Sequence, residues 1–181
     1  MAPELQAKHA RHAYQLKGTA DARPRQIDEV VTAASTGQDD WVSDAFQRLL
    51  SSRNIGILAT IKRDGRPQLS NVNYAYDADA GLIRISITDG RAKTTNLRRD
   101  PRASFEVTTS DLGAYVVAEG HASLSPVAAE VHDATVEELI DIYRAVKGEH
   151  PDWDDYRRAM VEDRRIALRL RVERMYGWAG R

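Results

Sequence analysis

The sequence predicts a mainly β domain of the α+β class, with antiparallel strands curling into a barrel and helices at its periphery. Three observations predict it. Residues 55–61, 67–76 and 82–88 are apolar or alternating runs joined by short polar connections, Lys62-Arg63-Asp64-Gly65 and Asp77-Ala78-Asp79-Ala80-Gly81. Such spacing suits an antiparallel meander and leaves no room for a crossover helix. Residues 114–124, with Tyr115, Val116, Val117 and Ala118, carry Gly120 in their midst, the mark of a bulge or bend that lets a sheet curl. Residues 165–176 alternate Ile166, Leu168, Leu170 and Val172 with Arg169, Arg171 and Glu173, a half-buried strand placed to close the barrel.

Length and composition bound the rest. A chain of 181 residues at 42% hydrophobic suits one domain with a real core and leaves room for an appendage. Its 26 basic and 27 acidic residues leave a net charge of -1, so there is no overall attraction to nucleic acid or to an anionic membrane, and any basic site is local. Without cysteine, thiolate nucleophiles, disulfides and cysteine-ligated metals are excluded. No apolar run approaches the roughly 20 residues of a membrane span. The absence of a signal-peptide core makes the expected location cytoplasmic.

Residues 1–40 are poor in large apolar residues and read as an N-terminal helical extension, with helices over 3–17, closed by Gly18, and 24–36, closed by Gly37. His9 and His12 stand three apart on the first, a spacing that suits a solvated face better than a metal site without a third ligand. The main domain covers residues 41–181. Asp40 caps a packing helix over 41–52, whose stripe is Trp41, Ala45, Phe46, Leu49 and Leu50. The second strand is unusual in holding Gln68, Ser70 and Asn71, polar groups that need partners when buried. Further on, Thr135 to Glu138 read as a capping box for a helix with Leu139, Ile142, Tyr143 and Val146 inward, which assigns Tyr143 to the core. In the helix over 152–162, Asp152, Asp154 and Asp155 suit the dipole of its first turn better than a cation site.

The third strand runs into Asp89-Gly90-Arg91-Ala92-Lys93-Thr94-Thr95-Asn96-Leu97-Arg98-Arg99-Asp100-Pro101-Arg102. Strand, turn and basic helix follow one another until Pro101 forbids continuation. Free N–H groups at such a helix start attract an anion, and Arg91 and Lys93 add full charges, so a phosphate can be held by backbone and side chains together. Asn96, one turn on from Lys93, can point the same way. On spacing alone a solvated basic helix fits equally well. A nucleic-acid face fits poorly, since no aromatics are interleaved. No catalytic triad, carboxylate pair or metal-ligand set is evident, so no catalytic or metal-binding residue is assigned.

The order of elements, with these residues in place, resembles the split β-barrel of the pyridoxamine 5′-phosphate oxidase-like flavin-binding superfamily, and more closely its flavin/deazaflavin branch, the oxidoreductases that use coenzyme F420. The matching runs are residues 55–61, 64–72 (Asp-Gly-Arg-Pro-Gln-Leu-Ser-Asn-Val), 91–103 and 153–157 (Trp-Asp-Asp-Tyr-Arg), and the resemblance covers residues 41–178. It implies antiparallel Greek-key strands with peripheral helices and a homodimer with two cofactor clefts between subunits. By position, Arg91 and Lys93 would grip the cofactor phosphate, with Asn96 nearby. Gln68, Ser70, Asn71 and Val72, with Ile85 and Ser86, would line the ring, and Tyr115 would reach the ring of the opposite subunit. The implied activity is hydride transfer from reduced coenzyme F420 to a small unsaturated organic substrate. FMN as cofactor of the same fold, or a non-catalytic F420 carrier, are the alternatives, with no role for nucleic acid or membrane.

Overall fold

Each alternating run of the sequence becomes a strand, and every pairing is antiparallel. The computed structural model describes residues 31–32 and 40–180. In chain order these form β1 (Val31–Thr32), α1 (Asp40–Ser51), β2 (Ile55–Ile61), β3 (Pro67–Asn73), β4 (Ala75–Asp77), β5 (Leu82–Thr88), α2 (Ala92–Arg99), β6 (Arg102–Thr108), β7 (Tyr115–Leu124), α3 (Ala134–Lys147), α4 (Trp153–Glu162) and β8 (Arg165–Trp178). The sheet runs β3-β2-β6-β7-β8-β5-β4, with β1 added to β8.

The two ends of that path, β3 and β4, are consecutive in the chain and separated only by Tyr74. The strand expected over residues 67–76 is therefore two strands, and the expected three-stranded meander is two hairpins, β2-β3 and β4-β5, sharing a bend. Tyr74 makes the bend. Its N–H donates to the Asn54 carbonyl at 3.0 Å, its hydroxyl to the Leu50 carbonyl at 2.6 Å, and its ring packs edge-on against Phe105 at 4.7 Å. Only 1% of the residue is exposed, and burial pushes its phenol pKa upward. Because the chain passes from one sheet edge to the other here, the sheet has to curl until its edges meet.

Curling is helped at the second point the sequence marks. The β7-β8 register shifts between Glu119 and Gly120. A Cβ at Gly120 would lie 1.8 Å from the Arg171 carbonyl oxygen, so only glycine fits that approach. Inside the barrel, Ile83, Ile85 and Ile87 of β5 meet Leu58, Phe105, Val116 and Leu168, with Phe46 and Leu50 supplied by α1. Each such buried side chain contributes about 1.5–3 kcal/mol. A second cluster lies on the outer side of β8, where Ala167 packs under Val136, Leu139 and Ile142 of α3 and Tyr156 and Met160 of α4.

Two local expectations are corrected. Asp133, not Thr135, caps α3 by accepting from the Val136 N–H at 2.8 Å, while the buried Thr135 hydroxyl donates to the Pro126 carbonyl and Glu138 pairs with Arg169. Val31 and Thr32 pair with Gly177 and Tyr176 in place of the helix expected over 24–36. A strand forms there because β5 ends at the Leu82–Arg171 pair and leaves that side of β8 open. The rest of the expected extension helices, and His9 and His12, lie outside the described residues. No described helix is long and apolar enough to cross a membrane.

Replacing Tyr74 by Phe keeps the ring but leaves the Leu50 carbonyl without its partner, and is expected to cost about 1–2 kcal/mol. Tyr74→Ala also empties the ring's space and is expected to cost about 3–5 kcal/mol. Urea unfolding at constant m-value measures both.

Candidate functional site

The bend at Tyr74 leaves an opening beside it. β4 covers β5 only over residues 82–84, so residues 85–88 have no neighbour on that side. Gly81 accepts from the Val172 N–H and the Asp89 N–H donates to Arg164, both at 2.9 Å. Bonded pairs alternate along an antiparallel ladder, so the odd-numbered residues of β5 turn their backbone groups to β8, and Ser86 and Thr88 turn theirs to the opening. On β3 the Tyr74–Asn54 bond and the 2.9 Å bond from Lys62 to the Arg66 carbonyl assign the even residues to β2. Asn71 and Asn73 therefore present backbone N–H and C=O to the same opening.

A cleft of about 570 Å³ lies between these two free edges. Its roof is the C-terminal half of α3, with Ile142, Tyr143, Val146 and Lys147, together with Tyr156 and Met160 of α4. One end gathers Arg91, Lys93 and Arg165. Arg91 occupies the N-cap position of α2 with no side-chain cap bond, so the first N–H groups of that helix keep their donor capacity. Arg165 is fixed in place. Its Nη2 donates to the Ser86 carbonyl at 2.9 Å and to the Ser86 Oγ at 2.7 Å, and its Nη1 to the Thr88 Oγ1 at 3.2 Å.

None of these three cations is ion-paired with a carboxylate among the described residues, whereas several of their neighbours are. Arg98 and Arg164 both hold Asp89, at 2.6 and 3.0 Å, and keep its carboxyl below the usual carboxylate range. Arg102 holds Asp100 at 2.8 Å, Lys62 holds Asp64 at 3.4 Å, and Arg99 donates to the Ile61 carbonyl. Burial, then the nearby charges of Arg91 and Arg165, pull the Lys93 pKa down, and burial does the same to Arg165. Like charges drawn together out of water without a carboxylate are unfavourable unless an anion completes them.

Of the residues singled out in the sequence, Asn71, Val72, Ser86, Arg91 and Lys93 meet at this cleft. The other five, Gln68, Ser70, Ile85, Asn96 and Tyr115, do not line it. Ile85 is wholly buried in the barrel and its backbone groups face β8, so neither side chain nor backbone reaches the opening. Asn96 is buried under α2 and donates to the Thr60 Oγ1 at 3.1 Å, away from the three cations. Thr60 in turn donates to Gln68 at 3.1 Å, and Gln68 to the Ser70 Oγ at 2.7 Å. Gln68, Ser70 and Asn96 thus form one polar chain that fastens α2 to β2 and β3, and positions Lys93 rather than lining the cleft. Tyr115 starts β7 on the outer face of the sheet, outside this cleft.

Arg165, Tyr143 and Tyr156 line the cleft without having been singled out as site residues in the sequence. Arg165 opens a strand that carries other arginines at alternate positions, and its distinguishing mark, an anchorage on neutral Ser86 and Thr88 with no carboxylate ion pair among the described residues, exists only in three dimensions. Tyr143 is half-buried, packing against the second core cluster and also bordering the cleft, because α3 ends beside the opening. Among the described residues no three His, Asp or Glu side chains converge as metal ligands.

Comparison with known proteins agrees with this architecture. The pyridoxamine 5′-phosphate oxidase family model matches residues 42–179. Among solved structures, an F420 reductase shares 20% identity over 72% of this chain and 94% of its own, with a TM-score of 0.56. A conserved hypothetical protein from Mycobacterium tuberculosis shares 25% identity over 85% and 89% of the two chains, with a TM-score of 0.58. An FAD-binding protein from Mesorhizobium loti shares 18% identity over 82% and 96%, with a TM-score of 0.54. With a family match over nearly the whole described barrel, and a sheet split beside Tyr74, the chain belongs to the pyridoxamine 5′-phosphate oxidase family.

Proposed function

We propose that the protein is a reductase that binds coenzyme F420 in the cleft and reduces a small unsaturated organic molecule. The observation that carries this reading is the meeting of Arg91, Lys93 and Arg165, without a carboxylate, at one end of a cleft walled by two free strand edges. The residues fit the group. A phosphate suits the three cations and the uncapped start of α2, and a planar ring with hydrogen-bonding edges suits the backbone groups of Asn71 and Asn73 and the N–H groups of Ser86 and Thr88, whose carbonyls already accept from Arg165 and Thr94. The reduced deazaflavin supplies hydride when bound, which is why no nucleophile or metal ligand is needed from the chain. The protein's part is then to clamp the tail, align the ring along the strand edges and shield it beneath α3 and α4.

Preference for F420 over FMN rests on the sequence runs noted above and on the F420 reductase among the fold neighbours. One observation favours FMN as a second reading. The arginines beyond the clamp, Arg98, Arg99 and Arg102, are engaged within the protein, and three cations suffice for a single phosphate.

A homodimer completes the site. Among the described residues no helix covers the outer face of β2, β3, β6 and β7, which presents Ile57, Ala59 and Val117, with Ile55 and Leu69 exposed at 62% and 63%. Asn71 borders both this face and the cleft. A second copy seated on the face would bury its apolar side chains and bring Tyr115 of the partner subunit toward the ring.

Titration of the full chain with F420 and with FMN, at two salt concentrations, followed by desalting and an absorbance spectrum, tests the cofactor. Tighter F420 binding that weakens with salt is expected, on a particle with dimer mass by light scattering. Tighter FMN binding would move the assignment to the second reading, and binding of neither would overturn it.

Lys93→Met gives a second check. Lys93 has a lower pKa folded than unfolded, so holding its charge in the cleft destabilises the protein fully below the folded value, and that cost fades as pH rises from the folded value and is gone above the ordinary value of 10.5. The ligand-free variant is expected to melt higher than the parent at pH 7, with the gap closing at alkaline pH. Its cofactor affinity is expected to fall about tenfold or more, as for a charged hydrogen bond lost from a phosphate.

A further inference from the structure

The cleft has a second end. Asn54 donates through Nδ2 to the Val146 carbonyl at 3.3 Å, which ties the last turn of α3 to the start of β2, and β2 begins there with Ile55 opposite Asn73 of β3. Lys147 and Tyr143 therefore stand beside Asn73, whereas Arg91, Lys93 and Arg165 stand beside Thr88. Tyr143 and Lys147 are four residues apart on one helix, so they share a face, and both line the cleft.

Their polar groups are unused. The hydroxyl of Tyr156 donates to the Leu139 carbonyl at 3.0 Å, but that of Tyr143 makes no hydrogen bond to another described residue. Its ring is held edge-on by Tyr156, His150 and Trp153, at 5.0, 5.2 and 5.8 Å between centroids, so the phenol is an oriented donor rather than a free rotor. Arg144, one residue along, takes the only acid of this turn, pairing with Glu149 at 3.2 Å, and Lys147 has no ion pair among the described residues. Between the two ends the roof is apolar and aromatic, formed by Ile142, Val146, Tyr156 and Met160.

We propose that Tyr143 and Lys147 form the substrate subsite, selecting a planar conjugated acceptor that carries a carboxylate. The inference rests on the cofactor reading above, since the clamp end is taken by the cofactor phosphate. The Lys147 ammonium meets one carboxylate oxygen, the Tyr143 hydroxyl donates to the other, and the conjugated body lies under the aromatic roof. A neutral amide of the same shape keeps the stacking and the Tyr143 bond but loses the charge.

Calorimetric titration of FMN- or F420-loaded full-length protein with cinnamate and with cinnamamide tests this. Cinnamate is expected to bind about tenfold tighter, the magnitude of one partly desolvated charge contact. Lys147→Gln is expected to abolish that preference while leaving cinnamamide and cofactor affinities unchanged, and Tyr143→Phe to weaken both probes. Equal binding of the two probes to the parent protein would overturn the subsite. So would a Lys147→Gln variant that loses cofactor affinity to the same degree, because the pair would then belong to the cofactor's own contacts. If neither cofactor binds, the cofactor reading fails by itself, and the same titrations on the unloaded chain decide the subsite.

Discussion

Everything in the molecule turns on the passage of the chain through Tyr74. A strand that simply continued would keep β3 and β4 on one line, paired throughout with the same neighbours. Instead three contacts pull on this one residue: its N–H to Asn54, its hydroxyl to Leu50 and its ring to Phe105. They bring the backbone across the mouth of the barrel, from the β2 side of the sheet to the β5 side. The edges of β3 and β5 meet there and then separate. Backbone groups of Asn71, Asn73, Ser86 and Thr88 are consequently left without strand partners, a state that a sheet ordinarily avoids. The cleft is the direct result of closing an antiparallel sheet with one bent strand.

Charge is arranged with the same economy. Most of the arginines around α2 are neutralised by neighbours, Arg98 and Arg164 by Asp89 and Arg102 by Asp100, which removes them from competition for a ligand. Arg91, Lys93 and Arg165 are not. Arg165 is kept rigid by Ser86 and Thr88, neutral partners that orient the guanidinium without cancelling its charge. The Asn96, Thr60, Gln68 and Ser70 chain holds α2 at a fixed height over β3, so Lys93 meets Arg165 across the cleft end. The result is a cluster of like charges that is unfavourable by itself and that a bound anion would relieve.

Much of this was legible in the residues. Alternation located the strands, Gly120 announced the bulge, and the strand, turn and basic helix from Leu82 to Arg99 marked the cationic end of the cleft. What escaped reading did so for physical reasons. The run Asn71-Val72-Asn73-Tyr74-Ala75-Tyr76 keeps a period of two straight through the bend, because Tyr74 stays inward while only its backbone changes direction. Ile85 sits between plausible site residues, yet which edge of β5 is free depends on ladder parity and on β4 ending at Ala75. Asn96 shares a helix face with Lys93 by spacing, but Thr60 lies closer to it than the cleft does. Arg165 is one of several arginines of its strand, and only the folded structure shows it held by Ser86 and Thr88 and free of a carboxylate ion pair among the described residues.

The central claim is that the free edges of β3 and β5, with the three cations beside them, hold the cofactor. Residue-resolved amide hydrogen exchange, with and without bound F420 or FMN, tests it most directly. Binding should slow exchange at the N–H groups of Asn71, Asn73, Ser86 and Thr88, and leave Val72, Ile85 and Ile87, already bonded within the sheet, unchanged. Protection confined instead to the second cleft, around His121 and Glu173, with these four amides exchanging as before, would contradict it.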